Sequence, residues 1–401
     1  MTAAARAARL LSDKRWRGWM IQALALAGLT LVLGWLLSNL TENLARSGLG
    51  FSFDFLGRPT GYDINQRPIP YDAADTHLRA ALVGAVNTMI VAVLACATAT
   101  MLGVVGGVLR LSGSWIVARL MAVYVEAFRN VPLLIWIIVV FTVIANVLPA
   151  PSAFRGDDPA ADMLLGLIAV TNRGVYVPLP VLAAVESQGW GWMVVLGVLA
   201  GSALLTRALG LWAARRQAVS GLRPRTWPAI LAIWALPLAA ALWALGLSWD
   251  LPALRGFNFV GGLQLRNSLI ALWLALSLYT GAFIAENVRA GILAVDRGQA
   301  EAATALGLTP RRTMRVVILP QALRVIVPPL ISAYLNVVKN SSLAVAVGYL
   351  DITGTLGGIT LNQTGRALEC VLLLMAFYLT VSLAISAVMN LYGRSVALPE
   401  R

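Results

Sequence analysis

The sequence predicts an all-α fold, a polytopic membrane bundle of about eight transmembrane helices. Of its 401 residues, 59% are hydrophobic and only 12% are charged, about half the charged share of a soluble domain. The apolar residues also gather in long runs. In such a chain a net charge of +13 reflects arginines at cytoplasmic helix ends rather than affinity for nucleic acid. We therefore expect a multi-pass protein surrounded by lipid, without a nucleic-acid partner.

The individual spans follow from run length, because a bilayer-crossing helix needs about 20 mostly apolar residues. The predicted spans are Trp19–Leu40, Ala81–Leu109, Ala118–Leu148, Gly191–Ala213, Trp227–Leu247, Ser268–Leu293, Val325–Tyr349 and Leu368–Leu391. Between them, Thr41–Thr76 is polar and rich in turn residues, which predicts an ordered outer loop. The outer segment Pro149–Gly189 contains two apolar stretches too short to span. These stretches are expected to lie at the membrane interface or to cover a neighbouring helix.

The positions of arginine and lysine predict that both termini are cytoplasmic. With this orientation the inner segments hold about twice as many of these residues as the outer segments. Most of the acidic residues outside the spans then lie on the outer side. No clear cleavage site follows the first apolar run, so a signal peptide is not expected.

One cytoplasmic stretch, "GQAEAATALGLTPRRTMRVVILPQA", interrupts the apolar pattern between the sixth and seventh spans. Ala300–Leu306 favours a helix, and Gly307 suits the left-handed residue that ends one. Thr309 can cap a second helix with Pro310 at its first position, and Pro320 is expected to limit that helix. The pattern predicts a short helix, a tight turn and a basic helix that returns to the membrane.

The first of these helices is suited to a groove in another protein. Ala302 and Ala303 are expected to leave its backbone exposed, and Glu301 offers a charge to a basic partner. An ordinary helical loop is the simpler interpretation. A DNA-binding helix-turn-helix with Arg311, Arg312 and Arg315 on phosphates is disfavoured, because membrane spans flank the stretch within a few residues.

The stretch resembles the EAA signature of ABC importer permeases, here Glu301, Ala302, Ala303, Gly307, Ile318, Leu319 and Pro320. The resemblance implies a type I permease-like core with extra helices. It also implies a coupling helix that sits in a cleft of a separate ATPase and carries its closure to the membrane. The coupling residues would be Gly298, Gln299, Glu301, Ala302, Ala303, Gly307 and Pro320. Neither lysine of the chain, Lys14 or Lys339, lies in a phosphate-binding loop, so ATP and Mg²⁺ are expected at the partner.

Other stretches are similar to the polar amino-acid branch of these permeases, namely "ENVRAGILAVDRGQAEAA", "FRNVPLL" and "LNVVKNSSLA". "GRPTGYDI" and "YDAADTHLRAALVGAVNT" resemble its broad-specificity L-amino-acid members, and the similarity extends from Phe51 to Gly393. The resemblance implies a bacterial inner (cytoplasmic) membrane location and an L-amino-acid substrate. It also implies three partners: a second, related permease subunit, an ATP-binding cassette ATPase dimer and a periplasmic amino-acid-binding protein. The simplest members have five spans, which match the second, third, sixth, seventh and eighth here.

The resemblance and the spans together predict the domain organisation. Residues 1–80 comprise a cytoplasmic N-terminus, the first span and an outer loop. Residues 81–393 form the permease domain, and residues 394–401 a cytoplasmic tail. Within the permease domain lie the outer insertion 149–189, the extra helices 191–247 and the coupling segment 296–322.

Polar residues inside the spans are candidates for a substrate path or gate. Lys339 is expected in the middle of the seventh span, facing either a substrate carboxylate or a neighbouring glutamate. The E-x-x-R pairs Glu126–Arg129 and Glu286–Arg289, at i, i+3 spacing, would be structural or gating ion pairs. Pro132 and the pair Pro328–Pro329 are expected to interrupt or kink helices. The candidates are Glu126, Arg129, Asn130, Pro132, Glu286, Arg289, Asn336, Lys339, Asn340, Ser341 and Ser342.

The leading prediction is therefore a permease subunit that moves substrate by alternating access coupled to a separate ATPase. An ion-coupled secondary transporter of small polar solutes, using Glu126, Glu286 or Lys339, is the alternative, although the inverted repeat typical of that class is not found. A membrane enzyme is disfavoured because the chain has a single histidine, His77, and two structural cysteines. We expect no catalytic residue, no metal site and no cofactor bound by this chain.

Overall fold

The computed structural model describes residues 14–46, 50–156, 159–182 and 191–396. The predicted N-terminal segment with Arg6 and Arg9, residues 183–190 of the outer insertion and the end of the tail, 397–401, lie outside the described residues. The described part contains 8 helices that are long and apolar enough to cross a membrane. Their number agrees with the prediction.

The α-helices are numbered here in chain order. They are α1 (Lys14–Arg46), α2 (His77–Leu109), α3 (Trp115–Asn130), α4 (Leu133–Val147), α5 (Gly191–Ser220), α6 (Trp227–Ala244), α7 (Asn267–Leu293), α8 (Arg297–Ala305), α9 (Pro310–Thr313), α10 (Leu319–Asn340), α11 (Leu361–Thr364) and α12 (Ala367–Val396). Short 3₁₀ helices cover Asp54–Gly57, Pro151–Phe154 and Ser341–Val347, and π-helical turns cover Met314–Ile318 and Thr353–Thr360.

The structure also contains short β-strands, and the all-α prediction did not include them. They are β1 (Ala169–Thr171), β2 (Gly174–Val177), β3 (Leu179–Leu182), β4 (Leu247–Asp250), β5 (Ala253–Arg255), β6 (Asn258–Val260) and β7 (Leu263–Arg266). All pairings are antiparallel, in the order β1-β2-β7, β3-β4 and β5-β6. The end of the first short apolar stretch of the outer insertion lies in β1, and the described part of the second stretch contains β3.

A small aromatic core holds this β region together. Tyr176 of β2 and Phe259 of β6 are buried, with ring centroids 5.3 Å apart. Phe154 meets Phe259 edge to face at 5.3 Å. Segments from before α5 and after α6 therefore fold into one structure, and the α5–α6 pair is inserted within it.

The chain divides into two compact units, Met1–Ala85 with Ile352–Val381 and Val86–Asp351 with Ser382–Arg401. The first unit has its own core, whose buried members are Phe55, Ile352, Leu356 and Cys370. The second unit contains the remaining spans and the β region.

Hydrogen bonds order the loop that precedes α2 in the first unit. The hydroxyl of Thr60 lies 2.7 Å from that of Tyr71, which donates to the carbonyl of Tyr62 at 2.8 Å. Nδ1 of His77 lies 3.0 Å from the hydroxyl of Thr360. Burial raises the pKa of Tyr62 to about 12, because its phenolate would lose most of its hydration. The loop is therefore packed and hydrogen-bonded.

Helix α7 is the centre of the second unit, with 67% of its most apolar stretch buried. Its neighbours approach closely at glycines. A Cβ atom on Gly107 of α2 would lie 2.7 Å from the Cβ atom of Val288, and one on Gly291 would meet the side chain of Ile326 in α10. In lipid, small residues at such contacts let helix backbones pack tightly. The contacts join α2, α7 and α10.

The predicted third span, Ala118–Leu148, is wrong as a single helix. α3 ends at Asn130, Val131 is extended with φ −109° and ψ 134°, and α4 begins after Pro132. The Pro132 ring disfavours helical backbone at the residue before it. The predicted interruption at Pro132 is thus present, and it divides the span in two.

The later prolines do not interrupt or end their helices as predicted. The helix that begins at Pro310 continues through Pro320, and α10 passes through Pro328 and Pro329. A π-helical turn precedes Pro320, in which the Leu319 amide donates to a carbonyl five residues back. This wider turn makes room for a ring that would clash with an ordinary α-helical carbonyl.

The glycine contacts predict a selective effect on stability. Gly107→Ala should lower the melting temperature of the detergent-purified chain by several degrees, because overpacking costs roughly 1–3 kcal/mol. Thermal unfolding followed by tryptophan fluorescence would measure it. Gly28→Ala in α1 is the matched control, since a Cβ atom there meets nothing within 4 Å. Equal melting temperatures for the Gly107 variant and the parent would contradict the packing argument.

Candidate functional site

A protruding elbow, residues 296–318, joins α7 to α10. The carboxylate of Asp296 caps α8 by accepting from a backbone amide two residues later at 2.7 Å. α8 ends in a Schellman turn, in which the Leu308 amide donates to the Ala303 carbonyl at 3.1 Å. Gly307 has a φ of +74°, a left-handed conformation that glycine adopts without a steric penalty. The predicted helix and glycine turn are both present.

The second half of the elbow differs in one detail from the prediction. Pro310 occupies the first turn of α9, but the Thr309 hydroxyl makes no capping hydrogen bond. A side-chain hydrogen bond links the first half to the following helix, since the Gln321 amide of α10 donates to Gln299 of α8 at 3.4 Å. The elbow is therefore tied to the span that follows it.

The exposed face of α8 contains most of the predicted coupling residues. Gly298, Gln299, Glu301 and Ala302 are exposed, while Pro320 is half-buried. Ala303 is only 3% exposed, which corrects the expectation that it leaves backbone accessible.

Leu306 is a feature of the elbow that sequence reasoning missed. Its side chain is 81% exposed at the end of α8, beside the turn at Gly307. A leucine directly before the helix-ending glycine was the available signal. Leu306 gives a partner protein an apolar side chain to bind. Glu301 supplies a charged side chain nearby, and Ala302 leaves the helix surface with little side-chain bulk.

An ionic cluster lies toward the elbow end of α7. The carboxylate of Glu286 accepts a hydrogen bond from Nη2 of Arg289 at 2.6 Å. It also forms an ion pair with the guanidinium of Arg110, the residue directly after α2. The side chains of Arg110 and Glu286 are 15% and 22% exposed. The predicted Glu286–Arg289 pair is present, and Arg110 is an unpredicted third member that joins the end of α2 to α7.

The other predicted pair, Glu126 with Arg129, is not formed. Glu126 instead accepts from the side-chain amide of Asn130 at 3.1 Å. The Arg129 guanidinium lies 5.3 Å from the ring centroid of Phe283 in α7, which is a cation–π contact. The i, i+3 spacing allows an ion pair but does not require one, and here Arg129 contacts the nearby aromatic ring instead.

A cavity of about 450 Å³ opens between the middle of α7 and α10. Amide, hydroxyl and aromatic groups line it, namely Tyr279, Thr280, Phe283, Asn287, Pro329, Ser332, Ala333, Asn336 and Asn340. Asn336 and Asn340 were predicted. Ser332 shares their four-residue spacing on one helix face, a signal that would have found it.

The remaining candidates from the seventh span lie outside the cavity lining. Lys339 is exposed in the last turn of α10, which ends at Asn340, and the span continues as a 3₁₀ helix to Val347. The hydroxyl of Ser341 donates to the Val338 carbonyl at 2.8 Å, and that of Ser342 to the Lys339 carbonyl at 2.7 Å. Both serines therefore satisfy carbonyls at the end of the helix.

These features lie along one pair of helices. α7 and α10 line the cavity, α7 contains the Glu286 cluster, and the elbow joins the two helices at the same end. In the parts of the chain that the structure describes, no group of His, Cys, Asp and Glu side chains could hold a metal ion. The arrangement suits a solute path linked to an exposed contact surface.

Known proteins are similar in sequence to this chain over nearly its whole length. BztB of Rhodobacter capsulatus, a glutamate/glutamine/aspartate/asparagine transport system permease protein, is 51% identical over 99% of this chain and 97% of that protein. YhdX of Escherichia coli, a putative amino-acid ABC transporter permease protein, is 44% identical over 96% of this chain and 95% of its own. AapQ of Rhizobium johnstonii, a general L-amino acid transport system permease protein, is 40% identical over 97% and 94% of the two chains.

A family match covers the cavity, the ionic cluster and the elbow. Residues 99–397 match the binding-protein-dependent transport system inner membrane component family. This region includes α7, α8 and α10 in full. The chain belongs to the family of inner membrane components of binding-protein-dependent transport systems.

Proposed function

We propose that this chain is the permease subunit of an ATP-driven, binding-protein-dependent importer of L-amino acids. The observation that carries the proposal is the elbow, whose exposed Glu301, Ala302 and Leu306 lie between two membrane spans. Similarity along the whole chain to three amino-acid permeases supports the substrate class. The chain itself performs no catalysis in this proposal.

The proposed orientation has both termini and the elbow in the bacterial cytoplasm. Two clusters of arginine support it, Arg297, Arg311, Arg312 and Arg315 at the elbow and Arg215, Arg216, Arg223 and Arg225 near the connection between α5 and α6. Residues 1–80 then form the N-terminus, first span and outer loop, 81–393 the permease domain, and 394–401 a cytoplasmic tail.

The elbow would transmit movement from a partner ATPase dimer. ATP and Mg²⁺ would be bound by that partner, and the elbow would carry its ATP-driven closure to the membrane helices. Gly298, Gln299, Glu301 and Ala302 would contact the partner, while Gly307 fixes the turn that presents them. α8 follows α7 after a three-residue link, and the helix from Pro310 runs on into α10. A displaced elbow would therefore move both helices that line the cavity.

The cavity would hold the amino acid in transit. Its side-chain amides donate hydrogen bonds to a carboxylate and accept them from an ammonium group, so both charged ends of the substrate find partners. The rings of Tyr279 and Phe283 supply apolar contact. A second, related permease subunit would close the open side, and a periplasmic binding protein would deliver the substrate.

The ionic cluster would hold the inner end of the path closed. Glu286 connects Arg110 to Arg289, and Arg129 lies on Phe283, which also lines the cavity. A movement at this end of α7 would thus reach the cavity through the Phe283 ring, which both contacts Arg129 and lines the cavity. The extended break at Pro132 lets α3 and α4 move separately.

The elbow predicts a coupling defect. Glu301→Lys should reduce ATP-driven amino-acid uptake into proteoliposomes at least tenfold, roughly the effect of losing 1.4 kcal/mol of contact energy. The partner ATPase should also copurify less well. Thr309→Ala is the matched control, because that exposed hydroxyl makes no capping hydrogen bond. Unchanged uptake by the Glu301 variant would defeat the coupling role, and uptake driven by an ion gradient without nucleotide would favour a secondary transporter.

The cavity predicts a substrate-binding defect. Asn336→Leu should raise the KM for glutamate, glutamine, aspartate or asparagine uptake at least tenfold, because one lost hydrogen bond to a charged group weakens binding by roughly 1.5–3 kcal/mol. The maximal ATPase rate without substrate should not change. Ser342→Ala provides the comparison, since its hydroxyl bonds to backbone outside the cavity. If KM stays at the parent value for all four amino acids, the cavity is not their binding site.

The ionic cluster predicts a coupled stability effect. Glu286→Gln should lower the melting temperature, because two guanidinium groups lose their counter-charge. Arg110→Gln combined with Glu286→Gln should destabilise less than the sum of the single changes, with an interaction energy of at least about 0.5 kcal/mol. Glu42→Gln, which breaks the exposed Arg46–Glu42 pair, should have little effect. Strict additivity of the two changes would exclude the proposed Arg110–Glu286 link.

A further inference from the structure

The inserted helices α5 and α6 form a hairpin with a defined register. The Ser202 hydroxyl donates to the Ile233 carbonyl at 2.9 Å, and the Trp234 indole donates to the Thr206 hydroxyl at 3.0 Å. Antiparallel helices rise equally per residue, so the two hydrogen bonds place the start of α6 opposite about residues 208 to 213 of α5. α5 nevertheless continues to Ser220.

The hairpin therefore has an overhang at its connecting end. About 7 to 12 residues of α5 extend beyond the start of α6, roughly 10–18 Å at 1.5 Å per residue. Residues 221–226 must return over that length, which an extended chain of this size can just span at roughly 3.3 Å per residue. We call residues 209–226 the basic overhang.

Positive charge is concentrated in the basic overhang without compensation. Arg215 and Arg216 lie on α5, and Arg223 and Arg225 lie on the return segment, all with exposed side chains. No aspartate or glutamate occurs between Gly191 and Trp249. None of these arginines belongs to an ion pair in the described part of the chain. Like charges this close repel each other, so a bound anion would stabilise the segment.

Apolar side chains are interspersed among the arginines. Val219 is 91% exposed and Leu222 is 78% exposed. The Arg216 guanidinium lies 5.4 Å from the Trp212 ring centroid, and Trp227 is exposed at the start of α6. Tryptophan beside arginine at a span end is typical of the membrane–water boundary, where the ring lies among headgroups and the guanidinium reaches phosphate. An acidic protein surface would match the charges but would leave the exposed valine and leucine without apolar surroundings.

We propose that the basic overhang binds anionic phospholipid headgroups of the inner leaflet. The lipid phosphates would neutralise the four arginines, and the acyl boundary would cover Val219 and Leu222. The inference rests on the proposed orientation, in which the connection between α5 and α6 faces the cytoplasm. It assigns the inserted hairpin a role as a lipid-anchored element beside the transport path.

The test compares lipid binding by the full-length parent chain and its variants. Each is purified with its accompanying subunits and placed in nanodiscs of equimolar phosphatidylcholine and phosphatidylglycerol. The lipids retained after transfer to detergent are identified by native mass spectrometry. Replacing Arg215, Arg216, Arg223 and Arg225 with glutamine should lower phosphatidylglycerol retention at least tenfold, since each arginine near a charged membrane contributes roughly a fivefold change in affinity. Inorganic phosphate should not displace the retained lipid.

Two matched variants make the result specific. Replacing the same four arginines with lysine should preserve retention, because headgroup attraction needs charge more than the guanidinium shape. Replacing Arg58, Arg155, Arg173 and Arg255 with glutamine makes the same change in net charge elsewhere and should also preserve it. Parental retention by the first glutamine variant would overturn the proposal. Loss of the ATPase subunit with lipid retained would also overturn it and assign the segment to a protein contact. Transport activity is not the readout, so failure here is distinguishable from failure of the importer function.

Discussion

The close approach of helix backbones at α7 is the contact on which the other features depend. Apolar side chains gain little by leaving lipid for a protein interior, so membrane helices associate mainly through tight van der Waals packing. Gly103 and Gly107 remove the side chains that would hold α2 away from α7, and Gly291 does the same for α10. With α7 and α10 held together, the cavity between them has defined walls. The elbow that joins them is held at both ends.

Features that depend on local sequence could be predicted, and those that depend on distant neighbours could not. Run length was sufficient to predict the number of spans, and the glycine turn at Gly307 followed from its immediate neighbours. The passage of α10 through Pro328 and Pro329 could not be inferred, because packing against adjacent helices compensates for missing backbone hydrogen bonds.

The same distinction applies to the candidate site. Glu286 and Arg289 lie one helical turn apart and were predicted as a pair. Arg110 is 176 residues from Glu286, and no pattern in the sequence joins them. Arg129 had a suitable acidic neighbour at the same spacing but lies on Phe283 from another helix. Ala303 is buried because α8 folds back on the rest of the elbow, an orientation that composition does not determine.

The pairing of β3 with β4 has a consequence for how such a chain can grow. Residues Leu182 and Leu247 face each other across this ladder, which brings the two ends of the intervening segment to about 5 Å apart. A segment whose ends nearly touch can be gained or lost without moving its flanks. Because this one contains two membrane crossings, an even number, its presence leaves every later helix on its original side. The transport core and its peripheral additions are thus free to diverge independently.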